Sequence, residues 1–481
     1  MMSKFFDGLT REKVANTTRG VLENKFFPAV TALVLLVCYY LSLDIVSVWY
    51  YGIVCILMLI LLDDLTPLIC HFPYVHVFIS YKNSPSSIAG NSNFYTSPVN
   101  YVQFLFLIAV VIGLLIFRLV RSAKQSRVKL NPVFFALCAL SASFLLNGLF
   151  SEKYAIMDTV YGVALSFVFL FIYVVLSANV VIKKENYNKI ATSFVILSAM
   201  ILFELVVLYL FNPNVIVNGQ IDKEQIVFGW GIWNSIGMLF CLCMPFVFLL
   251  GAQSKRGYLW ILYATVLMVA TVFTTSRQAI LSGAIVYVAS LIVLLVKVKD
   301  RRNNLITTGA LVLVALVVGA IFFDKVISLF GELFNNLFNS EGQFTGNGRM
   351  HHIIRAFEDF LSNPAFGVGF FGYTEDAYFV GLDGIVPIMY CNTFAQMAGA
   401  CGIVGLASYV FYRVQTAIHF FKKPTLQRTF CALSVVALLI TNLFDNHIFY
   451  MLITFAYGGL SIFAMDGESL GVKTEDEVLE N

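Results

Sequence analysis

Apolar runs separated by short polar connections fill the chain from residue 26 to residue 465. A helix that crosses a bilayer needs about 20 mostly apolar residues. On that measure the pattern predicts spans at 26–43, 45–62, 99–117, 133–150, 158–177, 190–211, 234–252, 258–275, 279–296, 305–323, 393–412, 428–444 and 447–465. No soluble domain interrupts them, and no internal repeat is visible. The stretch LTPLICHFPYVHVFISYK (65–82) is shorter and carries Pro67 and Pro73, which break or kink a helix. It reads as a distorted or re-entrant crossing and brings the total to about 14 spans. An external N-terminus with 13 spans is the alternative.

Composition agrees with this pattern. Of the 481 residues, 59% are hydrophobic and 12% charged, and the mean hydropathy is +0.82. A soluble domain carries about 25% charged residues. The expected fold is therefore all-α: a polytopic integral membrane protein of about 12–14 transmembrane helices with one large extracytoplasmic loop. The first 25 residues lack the apolar core and cleavage site of a signal peptide, so the first run is expected to serve as an uncleaved start-transfer helix. The nine cysteines lie mostly in apolar runs and read as small buried residues.

Lys and Arg orient the spans. Arg118, Arg121, Lys124, Arg127 and Lys129 crowd one connection, and Lys183, Lys184 and Lys189 another. Lys255 with Arg256, then Lys297, Lys299, Arg301 and Arg302, and finally Arg413, Lys422, Lys423 and Arg428 mark three more. These alternate with connections poor in both residues, which places the basic set in the cytoplasm. The resulting plan is a cytoplasmic segment 1–25, spans within 26–323, an outward loop 324–392, spans within 393–465 and a cytoplasmic tail 466–481.

Two outward places carry unusual chemistry. VFTTSRQAILSG (272–283) puts Arg277 between two apolar runs, and a membrane arginine is costly enough to need a reason. The loop contains GQFTGNGRMHHIIRAFEDFLSNPAFGVGFFGY (342–373). Within it Ile353, Ile354, Phe357, Phe360 and Leu361 recur at helical spacing, and Asn363 and Pro364 end the run. The spacing predicts an amphipathic helix at the outer interface, with Arg349 at its start and Arg355 one to two turns on. Arginine binds phosphate through two parallel hydrogen bonds and keeps its charge, so Arg277, Arg349 and Arg355 suit a lipid pyrophosphate, with Ser276 and Thr275 as added hydroxyl donors. The same residues also fit a structural lid with snorkelling arginines.

TTSRQA (274–279), GNGR (346–349) with NPAFGVGFFGY (363–373), and CNTFAQMAGACGIVGL (391–406) resemble, in this order, the motifs of the O-antigen ligase and Wzy-type polysaccharide polymerase superfamily. The resemblance covers 270–410. It implies an all-helical bacterial cytoplasmic (inner) membrane enzyme with its active site outside. That enzyme passes a glycan from undecaprenyl pyrophosphate to an acceptor hydroxyl, with Arg277 and Arg349 on the pyrophosphate. At the position of the family's histidine this chain has Cys391, followed by the matching Asn392.

A departing pyrophosphate needs charge neutralisation more than an acid, and the incoming hydroxyl needs a proton acceptor. The candidates, in order, are His447, Glu375 and Asp376; read singly, each also fits an ordinary polar loop or turn. His351 and His352 are adjacent, so they face different sides of a helix, and no pattern supports a metal; neither metal nor other cofactor is expected. The expected partners are the lipid-linked glycan donor, the glycan acceptor and the bilayer, with a flippase and a chain-length regulator beside them and no nucleic acid. The leading expectation is a polymerase of lipid-linked repeat units. A ligase of finished glycan is the alternative, and a flippase or transporter the rival from another class. Against the last, charges gather outside rather than at mid-span, where Glu204 stands out.

Overall fold

The computed structural model describes residues 2–74, 97–125, 127–128, 130–150, 156–217, 219–228, 231–298, 302–321, 349–371, 390–422, 424–446, 451–465 and 473–474. The described residues are mostly helical. In chain order the helices are α1 (Met2–Leu22), α2 (Phe27–Tyr40), α3 (Asp44–Leu61), α4 (Thr66–His71), α5 (Pro98–Lys124), α6 (Pro132–Leu146), α7 (Ile156–Asn179), α8 (Lys184–Phe211), α9 (Trp233–Gln253), α10 (Gly257–Phe273), α11 (Arg277–Lys297), α12 (Arg302–Ile321), α13 (Arg349–Ser362), α14 (Thr393–Phe420), α15 (Leu426–Asn442) and α16 (Met451–Ala464). Three two-residue strand pairs complete the described residues: β1 (Val181–Ile182) with β6 (Lys473–Thr474) in parallel, and antiparallel β2 (Ile216–Val217) with β3 (Gln220–Ile221) and β4 (Val227–Phe228) with β5 (Gly231–Ile232). Helices dominate because hydrocarbon offers backbone groups no partners, and a helix pairs its own.

Among the described residues, seven helices are long and apolar enough to cross a membrane: α3, α5, α7, α8, α9, α11 and α14. The α1–α2 pair, bent by 80°, makes an eighth if it is one span, and α6, α10, α12 and α15 are shorter apolar helices. The described helices follow the predicted runs closely, and they depart where charge begins. Arg118, Arg121 and Lys124 continue α5 instead of opening a connection, and Arg413 lies inside α14. Hydropathy ends at a charge, but Lys and Arg are good helix formers with apolar stems. Residues 2–22, polar in sequence, are also helical. Of the stretch 65–82, the described part is α4 and a buried 3-10 turn, Phe72–Tyr74; the rest lies outside the described residues.

The core centres on α9, buried along most of its length, with α8, α10, α11 and α15 around it. Phe194 of α8 stacks on Phe246 at 4.9 Å. Small residues let α11 approach α9 closely. A Cβ on Gly237 would stand 2.5 Å from the Ala279 side chain, and one on Gly283 3.2 Å from the Cys241 sulfur.

The two ends of the bundle differ. At one end arginines donate to carbonyls at helix C-termini. The buried Arg118 donates to Leu59 and Leu62, the buried Arg428 to His419 and Ala464, and the exposed Arg19 to Leu61. Asp64 at the same end accepts from Thr66, Val181 and Asn186. The opposite end carries the 274–279 and 391–396 motifs.

The glycine motif docks on a broken helix. Within α14, Gly402 has φ 64° and ψ −161°, which interrupts the helical ladder. Residues 363–371 run alongside the break. Val368 and Gly369 donate to the carbonyls of Gly399 and Ala400, and Ile403 and Val404 donate to those of Pro364 and Ala365. Gly367 and Gly402 face the partner backbone so closely that a Cβ would lie 2.3 Å from Ala400 and 2.5 Å from Ala365. Gly402→Ala therefore combines backbone strain with overlap and should cost on the order of 2 kcal/mol or more. Gly113→Ala on α5, where a Cβ meets nothing within 4 Å, should leave stability unchanged or slightly raised. Melting of the two detergent-purified variants beside the wild type checks this.

Candidate functional site

The motif-bearing end is assembled from four segments. The first is the turn between α10 and α11. Thr274 is buried and bonds back to the Thr271 carbonyl at 2.6 Å. Thr275 sits at φ +57°, a rare conformation for a β-branched residue. Ser276 then leads into α11, and its hydroxyl donates to Asn234 Oδ1 at 2.7 Å. No side chain caps α11, so its first-turn amides keep their donors. Arg277 is the first residue of that helix. It is exposed, and its guanidinium has no hydrogen-bond or ion-pair partner among the described residues. An uncapped N-terminus beside a free guanidinium favours an anion.

The second segment repeats the device. Cys391 sits at φ +52°, and Asn392 follows as N-cap of α14, accepting from Phe394 and Ala395. Its amide group donates to the Leu443 carbonyl at 2.7 Å, and Thr393 donates to the Asp445 carbonyl. The third segment, the turn after α15, joins the first two. The Asp445 carboxylate accepts from Gln278 Nε2 at 3.0 Å and from the Asn446 amide at 2.8 Å. Asn446 in turn donates to Gln396 Oε1.

The fourth segment is α13, a helix of 14 residues where the sequence predicts one. Ile353, Ile354, Phe357 and Leu361 are exposed and point away from the bundle. The inward face holds Ala356 and Asp359, both buried. Asp359 accepts the Tyr390 hydroxyl at 2.6 Å and the Arg355 Nε at 3.3 Å. Burial and the adjacent Asp359 carboxylate push the Tyr390 hydroxyl above the usual tyrosine range, which keeps it a donor. Gly399 makes room for the ring, since a Cβ there would lie 2.9 Å from it. Tyr390 thus ties α13 to the start of α14.

The structure therefore brings Arg277, Ser276, Cys391 and Asn392 to one end of the bundle, linked through Asp445, and ties α13 to it. Arg349 is the first residue of α13. Arg355 Nε pairs with Asp359 and the Ser276 hydroxyl with Asn234. His447, Glu375 and Asp376 lie outside the described residues. Among the described residues no group of His, Cys, Asp or Glu is placed to hold a metal ion.

Sequence reading missed Asp158. This carboxylate on α7 is fully buried and accepts from the amides of Phe370 and Phe371, and Gly369 passes so close that a Cβ would stand 2.7 Å from it. Its only sequence signal is an acidic residue near the start of an apolar run. Asp158→Ala should orphan two buried amides and cost about 2–4 kcal/mol, while Asp158→Asn, which keeps an acceptor, should cost less. Tyr390→Phe should cost about 1.5–3 kcal/mol through the lost bond to a carboxylate. Thermal melts of the purified variants measure all three.

No curated protein matches the chain. Residues 262–410, less than half of it, match the family model described as O-antigen ligase. That span begins in α10, takes in Arg277, α13 and the docked glycine segment, and ends within α14 beyond its break at Gly402. This stretch is similar to the O-antigen ligase family, and the match supports the resemblance to the O-antigen ligase and Wzy superfamily.

Proposed function

We propose that this protein is a polysaccharide polymerase that joins undecaprenyl-pyrophosphate-linked repeat units at the outer face of the bacterial cytoplasmic membrane. The match of residues 262–410 to the O-antigen ligase family supports a membrane glycosyltransferase acting on lipid-linked glycans. The observation that carries the finer reading is Arg277: an exposed guanidinium at an uncapped helix N-terminus, at the end of the bundle opposite the buried, carbonyl-bound arginines. Basic connections mark the cytoplasmic side, so the opposite end faces outward.

In the proposed reaction the acceptor hydroxyl oxygen attacks the anomeric carbon of the donor sugar. The bond from that carbon to the diphosphate oxygen breaks, and undecaprenyl pyrophosphate leaves with the electron pair. Arg277 and Arg349 stabilise the charge that builds on it, together with the amides opening α11. The hydroxyl proton passes to a base, for which His447, Glu375 and Asp376 are the candidates in that order. Arg355 and Ser276 hold α13 and the α11 turn in place. Asn392 fixes the start of α14, and Cys391 occupies the family's histidine position. A flippase and a chain-length regulator are the expected neighbours in the membrane.

The test is chemical. Radiolabelled lipid-linked repeats incubated with purified protein should yield longer lipid-linked chains, whereas a flippase yields no glycosidic product. Cells lacking the protein should accumulate single repeats on lipid; accumulation of long chains on lipid would instead identify a ligase. Arg277→Ala and Arg349→Ala should each lower turnover by about 10²–10³-fold. Arg277→Lys should recover little of it, because the bidentate fork is lost. Full turnover in Arg277→Ala would refute the assignment.

A further inference from the structure

Beside Arg277 lies a set of uncharged polar groups that phosphate chemistry does not use. Gln278 gives its Nε2 hydrogen to Asp445, but its Oε1 has no partner among the described residues. Asn446 donates to Gln396, and its own Oδ1 has no partner there either. Gln396 Nε2 and Thr275 Oγ1 complete the set. Gln278, Gln396 and Asn446 are 4%, 0% and 2% exposed. Folded proteins pair nearly all such buried atoms. Three of these four atoms belong to one hydrogen-bonded chain, and the fourth lies two residues before Arg277. Together they leave four hydrogen-bonding positions open among the residues around Arg277.

Their chemistry narrows what arrives. Gln278 Oε1 and Asn446 Oδ1 accept only, Gln396 Nε2 donates only, and the Thr275 hydroxyl does both. A phosphate or a carboxylate only accepts, so it leaves the two amide oxygens unserved. Hydroxyl groups both donate and accept, so several of them on a neutral ring satisfy all four atoms. In the reaction proposed above, one glycosidic bond joins the first sugar to the diphosphate. A diphosphate held at Arg277 therefore delivers that sugar to the residues beside Arg277.

Resting on that donor reading, we propose that Thr275, Gln278, Gln396 and Asn446 form the subsite for the uncharged, hydroxyl-bearing sugar attached to the diphosphate. These residues then set which sugar is accepted and disfavour an acidic one. Asp445 is a positioning residue here: by taking the Gln278 amide hydrogen it fixes which way the Gln278 oxygen points.

Binding of two probes to the purified full chain tests this. One is undecaprenyl pyrophosphate alone, and the other is the pyrophosphate-linked repeat unit isolated from the producing cells. The wild type should hold the glycan-bearing lipid roughly 100-fold more tightly, as a site built for hydroxyls discriminates strongly. Gln396→Met and Asn446→Leu should each shrink that ratio severalfold or more while leaving undecaprenyl pyrophosphate binding unchanged. The unchanged arm also shows that each variant folds. Arg277→Ala should weaken both probes and keep the ratio. A wild-type ratio near one, a ratio that survives in both variants, or variants that lose both probes alike would overturn the subsite. If the wild type binds neither probe, the donor reading itself fails.

Discussion

A chain that leaves helical conformation inside or beside a bilayer must still pair every backbone hydrogen-bonding group, and this constraint shapes the site. The protein meets it by breaking one helix to receive a non-helical strip. At Gly402 the α14 ladder opens, and residues 363–371 fill it with four backbone hydrogen bonds. Asp158 takes the next two amides. Each of the glycines 367, 369 and 402 stands where a side chain would overlap backbone or the Asp158 carboxylate. The loop helix α13 is thus tethered at its C-terminal end by main-chain bonds and along its inner face by the Asp359–Tyr390 bond.

The two ends of the bundle use arginine in opposite ways. Arg118 and Arg428 are buried and directed at carbonyls, where they do the work of helix caps. Arg277 instead stands beside the uncapped amides that open its helix and is left for a ligand. What the guanidinium faces, helix-end carbonyls or unpaired amides, separates structural arginine from arginine suited to an anion.

Much of this was legible in the sequence because it rests on period and order. Hydropathy marked the spans, the spacing of Ile353, Phe357, Phe360 and Leu361 marked α13, and three motifs in order pointed to the superfamily that the match over 262–410 supports. The rest rests on pairings between distant residues. Asp158 meets Phe370 across 212 positions and Gln278 meets Asp445 across 167, and no local pattern encodes either. Arg355 illustrates the limit: its charge suggested a phosphate ligand, and only the fold reveals Asp359 one turn away, turned inward and buried, as its partner.

The left-handed residues before α11 and α14 carry a further implication. Thr275 and Cys391 occupy a backbone region that glycine would enter without strain. Glycine there would relieve the native state but multiply the conformations open to each hinge. The strained choice sacrifices thermal robustness for a fixed launching angle of both helices, so the most heat-resistant relatives of this chain need not be the fastest.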